Sequence, residues 1–196
     1  DRGRIWKIVP EDPVPAVSAD MTGLSTAALV RELASERFWR RQTARRLLVE
    51  RGESAVAPAI AALVTADATR PAAINALHTV AVAEPLLAAD QGLFEEVLAL
   101  AADSDADVVR RVTIALGASA DPRVHDALVR IARRHGDVPW MDAAVMTAVP
   151  GRAGHLLARL LAEPDAIGAA RVLVGPLATA VAARRHPEEL SATVVA

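Results

Sequence analysis

Most of the chain alternates apolar stretches with polar breaks at the spacing of amphipathic helices. Ser or Asp precedes several of these stretches, and Gly follows others. Because Ser and Asp side chains cap helix N-termini and Gly adopts the left-handed backbone that closes helices, the pattern predicts short helices of about 10 to 16 residues. The predicted N-caps are Ser25, Ser35, Ser54, Asp105, Asp121 and Asp165, and the predicted helix ends are Gly52, Gly117 and Gly136.

The first part of the chain follows a different pattern. Residues 3–9 alternate polar and apolar side chains as a half-buried strand does, and nearby prolines then prevent regular pairing. We expect a strand over residues 1–10, an extended linker over 11–23 with a turn at Asp20 and Thr22, and a helical domain over 24–196.

The helical pattern repeats along the chain. Residues 38–43 and 108–113 open two helices that lie two units of about 35 residues apart. Two more helices open at Arg70 and near Pro139, and each of the four is followed by a second apolar helix. Such a two-helix unit predicts an α-solenoid, in which each unit buries its apolar face against its neighbours. The second helices are predicted near 57–64, 93–101, 124–132 and 154–161.

Composition supports an all-α protein and excludes several functions. Of the 196 residues, 53% are hydrophobic but only 3% are aromatic, so Ala, Leu and Val supply the core and favour helices. The absence of cysteine excludes thiolate chemistry within these residues. A net charge of −2 argues against a dedicated nucleic-acid surface. No apolar run reaches the roughly 18 residues of a membrane span, and the start at Asp1 without a leader is typical of a fragment or processed chain.

Two features resemble the HEAT-type repeat family over residues 24–164. One is Val109-Arg110-Arg111 at the start of a unit, and the other is the Asp121-Pro122 turn. The resemblance implies an all-α, right-handed α-α superhelix of about four or five helix pairs.

A narrower resemblance is to large bacterial proteins, abundant in planctomycetes, that join a sorbosone-dehydrogenase-like β-propeller, a HEAT segment and a cytochrome c module. Its evidence lies in four segments. Residues 3–10 resemble the closing propeller strand, 24–52 and 140–147 resemble two repeats, and 182–190 resembles the following helix junction.

This resemblance implies a non-catalytic scaffold for protein–protein or inter-domain interaction within a larger periplasmic or secreted redox protein. Residues 1–10 would be the remnant of the propeller. The chain has no Cys-x-x-Cys-His sequence, so we assign neither dehydrogenase nor haem chemistry to it and expect no cofactor.

The candidate partner-binding residues are Arg37, Arg41 and Arg45. Their i, i+4, i+8 spacing places them on one face of a helix. The alternative is that they only form local ion pairs, since three acidic residues are within reach. Those residues are Glu32, Glu36 and Glu50.

Two pairs of residues occupy matching positions in different repeats, and we predict structural roles for them. Trp39 and Trp140 are expected to pack between adjacent repeats, as large aromatic residues usually do. Arg40 and Arg110 are expected to bind loop carbonyls or Asp side chains of a neighbouring unit.

An alternative function is a HEAT-like nucleic-acid-binding protein or an alkylpurine DNA glycosylase, which Trp140-Met141-Asp142 resembles. The many Asp residues of the later units argue against binding to duplex DNA. The five histidines are scattered and predict no metal site, because zinc needs at least three protein ligands. No nucleophile or phosphate-loop motif is present, so we predict no catalytic residue.

Overall fold

The computed structural model describes residues 20–65, 70–82, 85–185, 187 and 190–191. These residues are helical and include no β-strand, which confirms the all-α prediction for this part of the chain. The predicted strand, and the linker up to residue 19, lie outside it. Eleven α-helices occur in the described residues: α1 (Thr26–Glu32), α2 (Phe38–Arg51), α3 (Ala57–Val64), α4 (Arg70–Val82), α5 (Pro85–Ala89), α6 (Gln91–Ala99), α7 (Ala106–Gly117), α8 (Arg123–His135), α9 (Met141–Ala148), α10 (Ala153–Leu161) and α11 (Val174–Arg184).

Several predicted helix ends are confirmed. The Ser25 hydroxyl accepts a hydrogen bond from the Ala28 amide at 3.2 Å and caps α1. The Asp105 carboxylate accepts from the second and third amides of α7. Gly52 closes α2 with a φ of 63°, a left-handed conformation that favours glycine. Local sequence signals therefore set these boundaries.

At other predicted caps a short turn separates the polar residue from the helix. Helix α2 begins after Arg37, two residues beyond Ser35. Pro122 lies between Asp121 and α8, but the Asp121 carboxylate still accepts a hydrogen bond from the first amide of α8, that of Arg123, at 2.8 Å. Ser54 and Asp165 lie inside short 3₁₀ helices. Gly136 and Gly117 do stand at helix ends as predicted, but without the left-handed backbone: Gly136 follows α8 with a right-handed conformation, and Gly117 is the last residue of α7. Such tight turns are common at helix termini and move the boundary by one or two residues.

The first helices of successive units pack against one another in chain order. Helix α2 packs against α4, α4 against α7, and α7 against α9. Of the second helices, α3 packs against α6 and α8 against α10. Each second helix also contacts the first helix that follows it along the chain. The buried apolar residues form one cluster along these contacts.

Helix α7 has neighbours on several sides and supplies much of this core. Its Val109, Val112 and Leu116 are fully buried. Thr113 is buried as well, and its hydroxyl donates to the Val109 carbonyl at 2.8 Å. Because that bond satisfies the hydroxyl within the helix, the residue can occupy an apolar interface without an unpaired polar group.

The prediction that the two tryptophans pack between repeats is wrong. Trp140 is 75% exposed, and it precedes α9 with a φ of 68°. The helix begins two residues later than expected, so Met141 takes the buried position. Trp39 is 38% exposed in the first turn of α2, where the Arg40 guanidinium lies 5.4 Å from its ring centroid.

The two matched arginines have different partners. Arg110 donates to the Pro139 carbonyl of the next unit at 3.4 Å, as predicted, and also pairs with Asp107 of its own helix. Arg40 instead binds both carboxylate oxygens of Glu32 in α1 at 2.6 Å. The bidentate pair ties α2 to the helix before it.

The C-terminal part contains a segment that the repeat pattern did not predict. Residues 168–173 form a 3₁₀ helix that packs against α8 and leads into α11, which packs against α10. The fit is close because Gly136 and Gly168 allow backbones to approach, and a Cβ on Gly136 would lie 2.6 Å from the Ala169 carbonyl oxygen. None of the described helices has the length and apolar character needed to cross a membrane.

We expect Leu116→Ala and Leu48→Ala each to lower the free energy of unfolding by about 2 to 5 kcal/mol, because each leaves a cavity in the core. Both side chains are nearly or fully buried. Arg45→Ala is the control and should change stability by less than about 1 kcal/mol. Urea denaturation measures all three, and equal losses in the three variants would contradict the assigned faces.

Gly117→Ala tests the close approach of α7 and α9. The added Cβ would lie 2.7 Å from the Ala148 Cα, which is backbone and cannot rotate away. Overpacking of this kind costs about 1 to 3 kcal/mol, whereas Ala normally stabilises a helix relative to Gly. Gly23→Ala, which meets no atom within 4 Å, is the control. Thermal unfolding should show a lower midpoint for Gly117→Ala alone, and a raised midpoint would refute the contact.

Candidate partner-binding groove on helices α2, α4 and α7

An open groove crosses the first helices of three consecutive units. Its volume is about 390 Å³, and α2, α4 and α7 each contribute side chains to it. Because these side chains stand one helical turn apart on α2 and on α4, each helix turns one face to the groove. The lining residues are Phe38, Arg41, Gln42, Ile74, Asn75, His78 and Arg111.

The groove is cationic. Arg41 and Arg111 line it, and no carboxylate does so among the described residues. Burial, followed by the positive charges of Arg111, Arg45 and Arg110, lowers the pKa of His78 to about 4. The imidazole is therefore neutral at pH 7, and the positive charge of the groove comes from guanidinium groups.

The arginines of the groove have few counter-charges. In the described part of the chain, Arg41, Arg45 and Arg111 form no ion pair with an acidic side chain. Burial, followed by the nearby charge of Arg110, lowers the pKa of Arg111, while Asp107 acts in the opposite direction. An incoming anion would thus be attracted without displacing a resident carboxylate.

Arg41 also has a structural role at the start of α2. Its Nη1 donates to the carbonyls of Ser35 and Glu36 at 2.7 and 2.8 Å, which fixes the loop before the helix. Its Nε is buried and has no hydrogen-bond partner among the described residues, and the same is true of His78 Nδ1. Buried polar atoms of this kind cost about 1 to 3 kcal/mol unless a ligand or water satisfies them.

The structure brings together two of the three predicted residues. Arg41 lines the groove, and Arg45 is near enough to act on the pKa of His78. Arg37 is exposed at the N-terminus of α2 and is not among the lining residues. Its side chain caps no helix amide.

The predicted local ion pairs form with other arginines. Glu32 binds Arg40 at 2.6 Å, and Glu50 lies 3.5 Å from Arg46. Burial opposes but does not cancel the effect of Arg40, which lowers the pKa of Glu32. The candidate arginines therefore keep their charge facing solvent and the groove.

Sequence analysis missed Phe38, His78 and Arg111 as members of the site. A signal for Arg111 was present, because Arg111 holds the same position in its unit as Arg41 does in the first one. His78 carried no comparable signal, since its place in the groove depends on the packing of α4 between α2 and α7.

The described residues contain no cluster suited to a metal ion. Among the residues that the structure describes, no three His, Asp or Glu side chains are placed to hold a metal ion. His186, one of the five histidines, lies outside these residues. The arrangement on α2, α4 and α7 is suited to binding an anion.

We expect His78 to make the protein less stable in acid. Its native pKa is about 4, below its usual value of 6.5, so the unfolded state binds the proton more readily. Stability from this group is complete above about pH 6.5 and is lost as the pH falls towards 4. Urea unfolding at the two ends of this range should show a smaller acid loss for His78→Gln than for the wild type. Identical losses would contradict the burial of His78 beside the arginines.

No protein-family model, curated protein or solved structure matches this chain. The groove and the sequence resemblance are therefore the observations that bear on function.

Proposed function

We propose that this chain is a HEAT-type repeat segment that acts as a non-catalytic scaffold and binds an acidic segment of a partner protein or neighbouring domain. The groove on α2, α4 and α7 is the binding site. The parent would be a larger bacterial redox protein of the periplasm or of the secreted fraction, as the sequence resemblance implies.

The contacts between helices support a stack of repeats. Successive first helices contact each other from α2 to α9, and the second helices lie beside them. A right-handed superhelix of helix pairs would produce this order of contacts, and it would leave one curved surface open for a partner. In such a scaffold the groove would lie on the surface formed by the first helices.

The observation that carries the proposal is the repeat-matched pair Arg41 and Arg111. Two units place a guanidinium at the same position, and both line one groove that contains no carboxylate among its described residues. Arg is suited to this role because its planar fork binds carboxylates through two parallel hydrogen bonds.

Exposed aromatic side chains at the groove favour a protein partner. Phe38 is 67% exposed and lines the groove, and the Arg41 guanidinium lies 5.7 Å from its ring centroid. Trp39, at 38% exposure, follows it in α2. Aromatic residues and arginine are the side chains that most often carry binding energy at protein interfaces.

Charge and size together define the occupant. The arginines favour Asp or Glu side chains, while Phe38 and Ile74 offer apolar contact. A groove of about 390 Å³ accommodates a few side chains of an extended peptide. We therefore assign an acidic peptide segment with an apolar residue as the ligand.

We expect a fluorescein-labelled peptide of Glu and Asp with a central Leu to bind the protein in a fluorescence anisotropy titration. Arg45→Glu together with Arg111→Glu should weaken binding about 10-fold or more, because two attractive charges become repulsive. Arg130→Glu with Arg171→Glu changes the net charge equally at exposed positions outside the groove and is the matched control. Circular dichroism checks that both double variants fold.

If both double variants bind the peptide equally weakly, net charge alone drives binding. That result would contradict binding of the peptide in the groove. A fluorescein-labelled DNA duplex in the same titration tests the alternative of a nucleic-acid-binding or glycosylase-like protein. Binding to duplex at physiological salt that falls steeply with added salt, with no binding of the acidic peptide, would favour that alternative.

A further inference from the structure

A second, smaller pocket lies between α8 and α10 and shares no lining residue with the groove. Its volume is about 230 Å³. It combines apolar walls with cationic side chains, which is the composition of many small-molecule sites. The lining residues are His125, Leu128, Val129, Arg152, His155, Leu156 and Arg159.

Three aliphatic side chains form the apolar part of the pocket. Leu128 and Val129 come from α8, and Leu156 comes from α10. All three are at most 4% exposed. Since an apolar cavity of about 150 Å³ holds a benzene molecule, this pocket has room for a ring or a branched chain with one polar group attached.

Arg152 is the principal cation of the pocket. Its Nη2 donates to the Ser119 carbonyl at 2.8 Å, which fixes the guanidinium. Its Nη1 is buried and has no hydrogen-bond partner among the described residues. The pKa of Arg152 is lowered because its guanidinium is partly buried and less hydrated than in free solution. An anion bound in the pocket would place a negative charge beside this guanidinium.

Two histidines also line the pocket. The rings of His125 and His155 have their centroids 6.1 Å apart. Burial lowers the pKa of His125, and the charges of Arg152, His155 and Arg159 lower it further, whereas Asp126 raises it. Asp126 itself pairs with Arg159 at 3.0 Å, so this carboxylate already has a cationic partner.

We propose that this pocket binds a small organic monocarboxylate whose body is compact and apolar, such as an aromatic ring or a branched chain. The carboxylate would accept hydrogen bonds from Arg152 and from the histidine side of the pocket. The apolar body would pack against Leu128, Val129 and Leu156. This site is separate from the groove, so it does not depend on the proposed scaffold function.

Other ligands use less of the pocket. Inorganic phosphate would meet the cations but leave the aliphatic walls in contact with a strongly hydrated ion. A divalent transition metal would have two imidazoles and no third described His, Asp or Glu ligand. A neutral apolar molecule would leave the Arg152 Nη1 without a partner.

Binding should be linked to proton uptake. A carboxylate beside His125 favours the charged imidazole and offsets the repulsion from Arg152, His155 and Arg159, so it raises the pKa of His125. Binding is then accompanied by proton uptake at this imidazole. Affinity should therefore be higher at about pH 6 than at about pH 8.

A methyl-labelled NMR titration of the full chain with benzoate tests the proposal. We expect saturable shifts confined to the methyl groups of Leu128, Val129 and Leu156, with a lower Kd at the more acidic pH. Benzyl alcohol, which has a similar shape and no charge, should bind about 10- to 100-fold more weakly, as expected for loss of a charged hydrogen bond. Sodium phosphate should cause no saturable shift at these methyls.

Two variants and one control test which side chains of the pocket bind the carboxylate. Arg152→Gln should weaken benzoate binding about 10- to 100-fold. Because this change also affects the bond to Ser119 and can destabilise the fold, His125→Gln serves as a second test and should reduce the pH dependence, since the proton is taken up by His125. Arg171→Gln, outside the pocket, should bind like the wild type.

Three outcomes would overturn the proposal. One is the absence of saturable shifts with benzoate at either pH. Another is equal affinity for benzoate and benzyl alcohol, which would make the pocket an apolar cavity. The third is saturation by zinc ions in the absence of any effect of benzoate.

Discussion

The close approach of consecutive first helices is the constraint on which the rest of the structure depends. Helix α7 contacts α4 on one side and α9 on the other, and Gly117 lets its end lie against the backbone of Ala148. Small buried residues such as Ala76 in α4 and Ala115 in α7 permit the same closeness elsewhere. Since no single helix here can bury its apolar face alone, each helix depends on its neighbours for stability.

The two candidate sites follow from this packing. When first helices lie side by side, residues at equivalent repeat positions face the same surface, and Arg41 and Arg111 share a groove for that reason. The second helices produce the other site, a pocket that is lined by residues of α8 and α10 and by Arg152, which directly precedes α10. Both sites place guanidinium groups at the margin of apolar surface, where an opposite charge is strongly preferred.

Sequence analysis predicted most helix positions because their signals are local. Helix α3 has the bounds that were expected, and α2 begins at the predicted Phe38 and ends at the predicted glycine. The exposure of Trp140 was missed because α9 starts two residues later than expected, so Trp140 precedes the helix with a left-handed backbone and takes no position on a helical face. The short helix α5 and the packing of residues 168–173 on α8 depend on contacts between distant parts of the chain, which local periodicity does not report.

Only part of the candidate site could be found from the sequence. The spacing of Arg41 and Arg45 indicated a charged face, but not which acidic residues would neutralise it, because the choice between Arg40 and its neighbours as the partner of Glu32 depends on the angle between α1 and α2. The displaced pKa of His78 arises from burial and from arginines of two other helices. Both the choice of ion-pair partner and the pKa shift depend on how the helices pack, which the local sequence does not show.

Native-state hydrogen exchange, resolved by mass spectrometry along the chain, tests the stacked arrangement most directly. In a stack, α7 has neighbours on both sides, so its amides should exchange only through the largest openings, and protection should decline towards α1 and towards α11. Faster exchange in α7 than in both α1 and α11 would contradict the central position of that helix and the stacking that depends on it.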